Sequence, residues 1–415
     1  MLIEFSVSNF RSFREQQTIS MVAAPKLRKR QNVFEPVLSG EKFPPLLKAC
    51  VIYGPNASGK SNLLRALTVV HTIALSQPSN EPRILPVAPF LFDQELVDKP
   101  SKFDLHFIHR EMRYQFELHA TTERIHLERL KSFPMGKESL LYERRYGDTG
   151  YHYTFGKNLE GGSDLHEAWK KLTSPSVLFI AQAVANSNEE LRQLQMPHEW
   201  LAGGMFTVLR GMHFLAKAAQ ELASDDEMHA QSIVEFLRDV DVPISRMRSE
   251  FVESHVERPS ILSAAFPGKD KAVRTILTHY TALGEADLAY EDESEGTKNL
   301  VGFWLPWVTR EPSSRSARRV LLIDELDSSL HPKIVVALVA KHLASIEPSQ
   351  LIFTTHDTHL MDSKLLRRDQ FWITERDVNG ATQLRSIHDF DGRESEDIEK
   401  RYYEGRYRGL PLLVE

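Results

Sequence analysis

Cysteine is almost absent from this chain. The single residue, Cys50, allows no internal disulfide and no zinc site built on thiolates. Long apolar runs are missing as well. No stretch approaches the roughly 18 to 20 consecutive apolar residues of a membrane-spanning helix, so a span of that kind is excluded. The opening MLIEFSVSNFRSF mixes polar and apolar positions and carries Glu4 early, which is unlike a signal peptide; a cytoplasmic protein is expected. Neither sign of charge dominates: 51 Lys+Arg against 57 Asp+Glu leave a net −6, which argues against a globally basic nucleic-acid binder. There is no internal repeat, heptad run or low-complexity tract. What is present is 41% hydrophobic and 26% charged residues, enough apolar material for a large core, so disorder throughout is excluded. A length of 415 residues by itself suggests two or three domains.

Along the chain, Leu2, Ile3, Phe5, Val7 and Phe10 alternate with polar positions, as in a strand. Four positive charges follow at Lys26, Arg28, Lys29 and Arg30. The apolar run Leu46–Gly54 suits a strand buried on both faces. Leu63, Leu64, Leu67, Val70 and Ile73 then recur at helical spacing. Residues 76–101 hold five prolines and read as loop. Short alternating runs between Lys102 and Phe155 predict an antiparallel sheet, and apolar spacing over residues 165–240, FTVLRGMHFLAKAAQEL included, predicts helices. Residues 244–283 read as strands. The final third alternates helix and strand through RRVLLIDE and SQLIFTTH, the pattern of a parallel α/β sheet.

Three motifs carry chemistry. GPNASGKS comprises Gly54, Pro55, Asn56, Ala57, Ser58, Gly59, Lys60 and Ser61, followed by Asn62. It lies between the expected strand and the expected helix, as a phosphate-binding P-loop does. Backbone N–H groups there form an anion cradle. Lys60 would reach the β- and γ-phosphates of ATP, and the Ser61 hydroxyl would ligate Mg²⁺. The second motif, VLLIDE, ends an apolar strand on two carboxylates, where ligands bind in open α/β sheets. Asp324 is the expected Mg²⁺ partner and Glu325 the general base for water. The third, ESEGTKNL, lies upstream: Gly296 precedes Asp324 by 28 residues (324 − 296). Alone, SEGT reads as a helix start capped by Ser294 or Thr297.

Taken in order, P-loop, SEGT, Walker B with its glutamate, LDSSLHP and His356 in LIFTTHD resemble the head ATPases of the ATP-binding-cassette and SMC-like group. The resemblance implies that Ser294 and Gly296 touch the γ-phosphate of a second subunit, that Asp327 couples two sites, and that His356 senses the γ-phosphate. SEGTK in place of LSGGQ favours the SMC/RecF-like branch over transporters. SNFRSF resembles the N-terminal strand-turn of those heads, which makes Arg11 a candidate phosphate or adenine contact. Gln182 is the candidate for the lobe-joining glutamine. The chain looks most like compact bacterial AAA/ABC-type ATPases of abortive infection and phage defence, related to the overcoming-lysogenisation-defect ATPases.

The expected fold is therefore α/β: a P-loop NTPase of the ABC/SMC-head type, with a mixed-sheet core, an antiparallel β subdomain and a helical insertion. Lys60 and Asp324, 264 residues apart (324 − 60), must meet at one Mg²⁺. Residues 1–155 and 244–415 are thus expected to build one head in two lobes, with 156–243 inserted. No long coiled coil separates the halves, and only 59 residues follow His356 (415 − 356), too few for a TOPRIM nuclease domain. The expected function is Mg²⁺-dependent ATP hydrolysis by a self-associating head that regulates a separately encoded nuclease or toxin. The alternatives are a nucleotide-switched scaffold and a RecF-like DNA repair ATPase. A nucleic-acid partner would have to use a local patch such as residues 26–30 or Arg315, Arg318 and Arg319, and no membrane partner is expected.

Overall fold

The structure is a computed structural model that describes residues 1–79, 81–188, 191–209, 211–253, 271–308, 320–346, 348–361, 364–393 and 396–411. Arg315, Arg318 and Arg319 lie outside them. Strands β1 (Leu2–Ser8) and β2 (Gln17–Ser20) join β6 (Ser101–His109), β7 (Met112–Ala120), β8 (Ile125–Ser132), β9 (Ser139–Gly147) and β10 (Gly150–Phe155). Together they make an antiparallel sheet of order β10-β9-β8-β7-β6-β1-β2. The chain's first strand thus belongs to the sheet expected from Lys102 onwards. A small ribbon pairs β3 (Val33–Phe34) with β4 (Leu46–Leu47).

The second sheet carries the parallel core. Its order is β11 (Met205–Val208), β15 (Val320–Ile323), β16 (Gln350–Thr354), β5 (Ala49–Tyr53), β17 (Phe371–Arg376) and β18 (Thr382–Ser386). All neighbours are parallel except the closing β17–β18 hairpin. Every residue of β5, β15 and β16 is buried, which explains why their sequences are continuous apolar runs rather than alternating ones. Gln350 ties the two sheets together: its side chain accepts from Leu2 N–H at 2.6 Å and donates to Leu2 O at 2.8 Å.

Helix α1 (Lys60–Leu75) packs against both sheets through the expected face of Leu63, Leu64, Leu67, Val70 and Ile73. Helices α2 (Gly162–Leu172), α3 (Phe179–Ala185) and α4 (Arg192–Gly203) share this core, with Trp200 stacked on Phe107 at 4.0 Å between ring centroids. A buried carboxylate holds the start of α3. Glu128 accepts from Phe179 N–H (2.7 Å), Ile180 N–H (3.0 Å) and the Tyr142 hydroxyl (2.7 Å). Arg144, equally buried and 3.7 Å from Glu128, donates to Val177 O and Ser174 O. Burial raises the Glu128 carboxyl above its ordinary value, against the opposing pull of Arg144.

The remaining elements are α5 (His213–Asp225), α6 (Glu227–Asp239), β12 (Ile244–Glu253), β13 (Lys271–Thr281), β14 (Gly284–Ala289) and α7 (Glu295–Val308). Beyond them come α8 (Pro332–Ala344) and α9 (Ile398–Tyr403). The chain divides into two compact units: Met1–Leu209, Arg315–Leu326 and Leu338–Glu415 form the first, and Arg210–Ser314 with Asp327–Ala337 the second. The stretch 156–243 does not form a unit of its own. Helices α2–α4 contribute to the core of the first unit, and α5 and α6 belong to the second. Within that stretch FTVL is not helical. Phe206–Val208 lie in β11, which pairs with β15, because so short an apolar run satisfies either period and pairing decides it.

Candidate active site at the parallel-strand ends

Strand β5 delivers the glycine loop to the C-terminal edge of the parallel sheet. The loop needs its glycines: Gly54 and Gly59 adopt φ of 148° and 104°, values that L side chains rarely reach. A Cβ on Gly54 would run into the Thr374 hydroxyl, and one on Gly59 into Thr382 Oγ1. Ala57 also has positive φ, 62°. Lys60 opens α1 and is buried, and its Nζ donates to Gly54 O at 2.8 Å and Pro55 O at 3.1 Å. The ammonium thus sits on the loop's own carbonyls.

Strand β15 supplies the acids, and β16, which lies between β15 and β5, supplies the hydroxyl that holds them. Ser61 Oγ donates to Asp324 Oδ1 at 3.0 Å. Thr354, fully buried at the end of β16, donates its hydroxyl to the same Oδ1 at 2.7 Å and accepts Glu325 N–H at 2.8 Å. Glu325 is exposed, and its backbone has φ of 54°, an unusual conformation for a non-glycine residue. His356 is exposed just beyond Thr354. Nearby, His359 Nδ1 contacts Asp357 Oδ1 at 2.6 Å. Among the described residues no three or more His, Cys, Asp or Glu side chains form a cluster that could hold a metal ion. One carboxylate plus one hydroxyl is nevertheless the protein share that Mg²⁺ takes when phosphates and waters complete its shell, so Ser61 and Asp324 fit that ion.

Asn9 and Arg11 hold positive φ of 48° and 50° in the turn after β1. Asn9 fixes this turn by donating to Leu96 O and Lys99 O and accepting Phe90 N–H. Arg11 is exposed, and partial burial together with the nearby Arg65 lowers its guanidinium from the ordinary value. Arg65 lies in the second turn of α1, so the turn places positive charge beside the start of that helix. Ser12 then joins the loop: its Oγ accepts from Asn62 at 2.9 Å and from Thr382 at 2.8 Å, while Thr382 N–H donates to Ser12 O. Thr374 contacts Ser58 Oγ at 2.6 Å. Ser12, Thr374 and Thr382, with Thr354, are site residues that motif reading missed. The available signal for Thr354 was its place, a hydroxyl closing the buried run of β16 just before the histidine motif.

Gln182 is not in this site. It lies on α3 beside the C-terminal end of α1, about 20 Å along that helix from the glycine loop at 1.5 Å per residue. The segment at the edge of the acid cluster is instead β11, whose Val208 O accepts Asp324 N–H at 2.9 Å.

In the second unit, SEGT begins α7. Ser294 Oγ accepts Thr297 N–H at 3.1 Å and contacts Thr297 Oγ1 at 2.9 Å, the geometry of a helix cap. A Cβ on Gly296 would lie 2.9 Å from Ser329 O, and Asn299 donates to Ser328 O at 3.1 Å. The start of α7 is thus packed directly on the loop that begins at Asp327. Asp327 O itself accepts Leu330 N–H.

A buried strand, a glycine loop and a helix, facing a carboxylate at the end of the next parallel strand but one, define a P-loop NTPase. The chain matches, over residues 50–362, the family described as "AAA domain, putative AbiEii toxin, Type IV TA system", and it belongs to that family. No curated protein matches it. Among solved structures, it is similar to an SMC head bound to the C-winged helix domain of ScpA, at 13% identity and TM-score 0.42, covering 93% of this chain and 97% of that one. It is also similar to the SMC head domain from Thermotoga maritima, at 15% identity and TM-score 0.42, covering 93% and 98%. No helix among the described residues is long and apolar enough to cross a membrane.

Proposed function

We propose that the chain binds ATP with Mg²⁺ at the Gly54–Ser61 loop and hydrolyses it. The observation that carries this reading is the 3.0 Å contact between Ser61 Oγ and Asp324 Oδ1, which joins the end of one motif to the carboxylate of another. The loop N–H groups and Lys60 would bind the β- and γ-phosphates, and Ser61 and Asp324 would hold Mg²⁺. The ion, when bound, offsets charge on the phosphate oxygens. Glu325 would orient a water in line with the γ-phosphorus and take its proton as the new P–O bond forms. The bond to the β–γ bridging oxygen breaks, leaving ADP and phosphate. Positioning and charge stabilisation supply the rate. Thr354 would hold Asp324 and Glu325 in their working geometry. The positive φ of Glu325 supports a functional role there, since such backbone conformations cluster at active sites. Exposed His356 would contact the γ-phosphate, and Arg11 the nucleotide's anionic side.

We further read Ser294 and Gly296 as completing the ATP site of a second copy, with Asp327 coupling the two sites. ATP would then assemble a dimer or higher oligomer that regulates a separate toxin or nuclease. The family's description, which names a toxin system, supports a place in defence against phage. Steady-state phosphate release by wild type and Glu325→Gln tests the enzymatic reading. Turnover in the wild type, lost in the variant while ATP still binds, is expected. Background release by both would move the protein to a nucleotide-switched scaffold. DNA-stimulated, salt-sensitive turnover would favour a repair-type ATPase.

A further inference from the structure

A second cavity, separate from the phosphate loop, opens at the far end of α1. Its volume is about 610 Å³, within the range of about 300–1,000 Å³ usual for small-molecule sites. Its wall is the last turn of α1 and the loop after it, the end of α2, one face of α3, and His198 from α4. Glu128 and Arg144 fix α3 at its N-terminus, so this face is set rigidly.

The polar groups around the cavity are mostly committed. Ser76 Oγ donates to Thr72 O, His198 Nε2 contacts Ala74 O at 3.2 Å, and Asn186 Nδ2 donates to Gln182 O at 2.9 Å. The Gln182 carboxamide is different. The residue is only 7% exposed and lines the cavity, yet its side chain makes no hydrogen bond among the described residues. Buried polar groups are almost always paired, and this one is left for a partner from outside the chain.

The chemistry of that partner follows from the wall. Among the described residues no Lys, Arg, Asp or Glu lines the cavity, so none of these lining groups would compensate a charged ligand. Burial also holds His198 below the ordinary histidine value, which keeps it neutral near pH 7. Leu75, Leu172 and Val184 supply apolar surface beside the carboxamide. A primary carboxamide presents a donor and an acceptor side by side, the arrangement that pairs in two points with a nucleobase edge. We infer that this cavity is a binding site for an uncharged nucleobase or nucleoside, held by two hydrogen bonds to Gln182 beside Leu75, Leu172 and Val184.

The test uses the full chain without ATP and titrates adenosine, guanosine, cytidine and uridine separately, followed by saturation-transfer NMR and calorimetry. At least one nucleoside should bind saturably, one per chain. Gln182→Leu should weaken it at least tenfold, and so should Ala185→Trp, which fills the cavity from an exposed position and keeps the test alive if the first variant fails to fold. Lys60→Ala should leave it unchanged. The inference is overturned if none of the four binds saturably at millimolar concentration. It is equally overturned if binding survives both cavity variants, or if Lys60→Ala abolishes it, which would assign the nucleoside to the phosphate loop.

Discussion

Replacing Thr354 by valine removes one hydroxyl and almost no volume. In the structure that hydroxyl donates to Asp324 Oδ1 at 2.7 Å and accepts Glu325 N–H at 2.8 Å. The first is a hydrogen bond to a carboxylate, worth about 1.5–3 kcal/mol, and the second contributes about 1 kcal/mol. Part of the loss falls on folding. If about 2–3 kcal/mol of it is felt in the transition state, turnover falls by about 30- to 150-fold, at 1.36 kcal/mol per tenfold. ATP affinity should change by less than about threefold, because Lys60 and the loop N–H groups are untouched. The assay is steady-state phosphate release beside equilibrium ATP binding, with thermal unfolding as the control for folding. Thr354→Ser, which keeps the hydroxyl, should recover most of the rate. A folded Thr354→Val variant that hydrolyses ATP within threefold of wild type would show that this hydroxyl does not organise the acid pair.

Gly59→Ala should abolish ATP binding and lower the melting temperature, since its Cβ would collide with Thr382 and the backbone already holds φ of 104°; calorimetry and thermal unfolding report both. Ser294→Ala should cost only about 1 kcal/mol of stability as a lost helix cap, yet reduce ATP turnover more than tenfold; a loss of turnover no larger than the loss of stability would leave Ser294 as a cap alone. Glu128→Ala strands Arg144 and the N–H groups of Phe179 and Ile180 in the core, and denaturant unfolding should register about 3–5 kcal/mol. Burial depresses His198 below the ordinary value of 6.5. The unfolded chain therefore binds more protons there as pH falls, so this residue's contribution is full above 6.5 and is lost on acidification through the depressed value. His198→Gln should flatten that acid limb in melting temperatures measured between pH 7 and 5.

The parts of the site legible in sequence were those whose chemistry is local. A strand, a glycine loop and a helix follow one another within 30 residues, from Leu46 to Leu75, and each imposes its own residue types. Asp324 could be tied to Ser61 only through the chemistry both motifs imply, and the fold brings them together. The hydroxyl contacts were not legible. Ser12, Ser58, Thr374 and Thr382 meet because β5, β17, β18 and the turn after β1 converge on the loop, and no local pattern marks a threonine for that. Gln182 marks a limit of the resemblance. Expected as the lobe-joining glutamine, it lies on α3, which Glu128 anchors and which meets the far end of α1, away from the phosphate loop. Most of FTVL, expected within a helix, forms β11 instead, and so short a run shows no period of its own. Its partner strand, more than 100 residues later in sequence (320 − 208 = 112), decides its conformation.

The most direct measurement is an equilibrium titration of ATP, with and without Mg²⁺, into the wild-type chain and Lys60→Ala. The account predicts saturable binding to the wild type, strengthened by Mg²⁺, and its loss in the variant, which lacks the ammonium that sits on the loop. No binding by the wild type, or equally tight binding by both chains, would contradict the assignment of nucleotide to Gly54–Ser61.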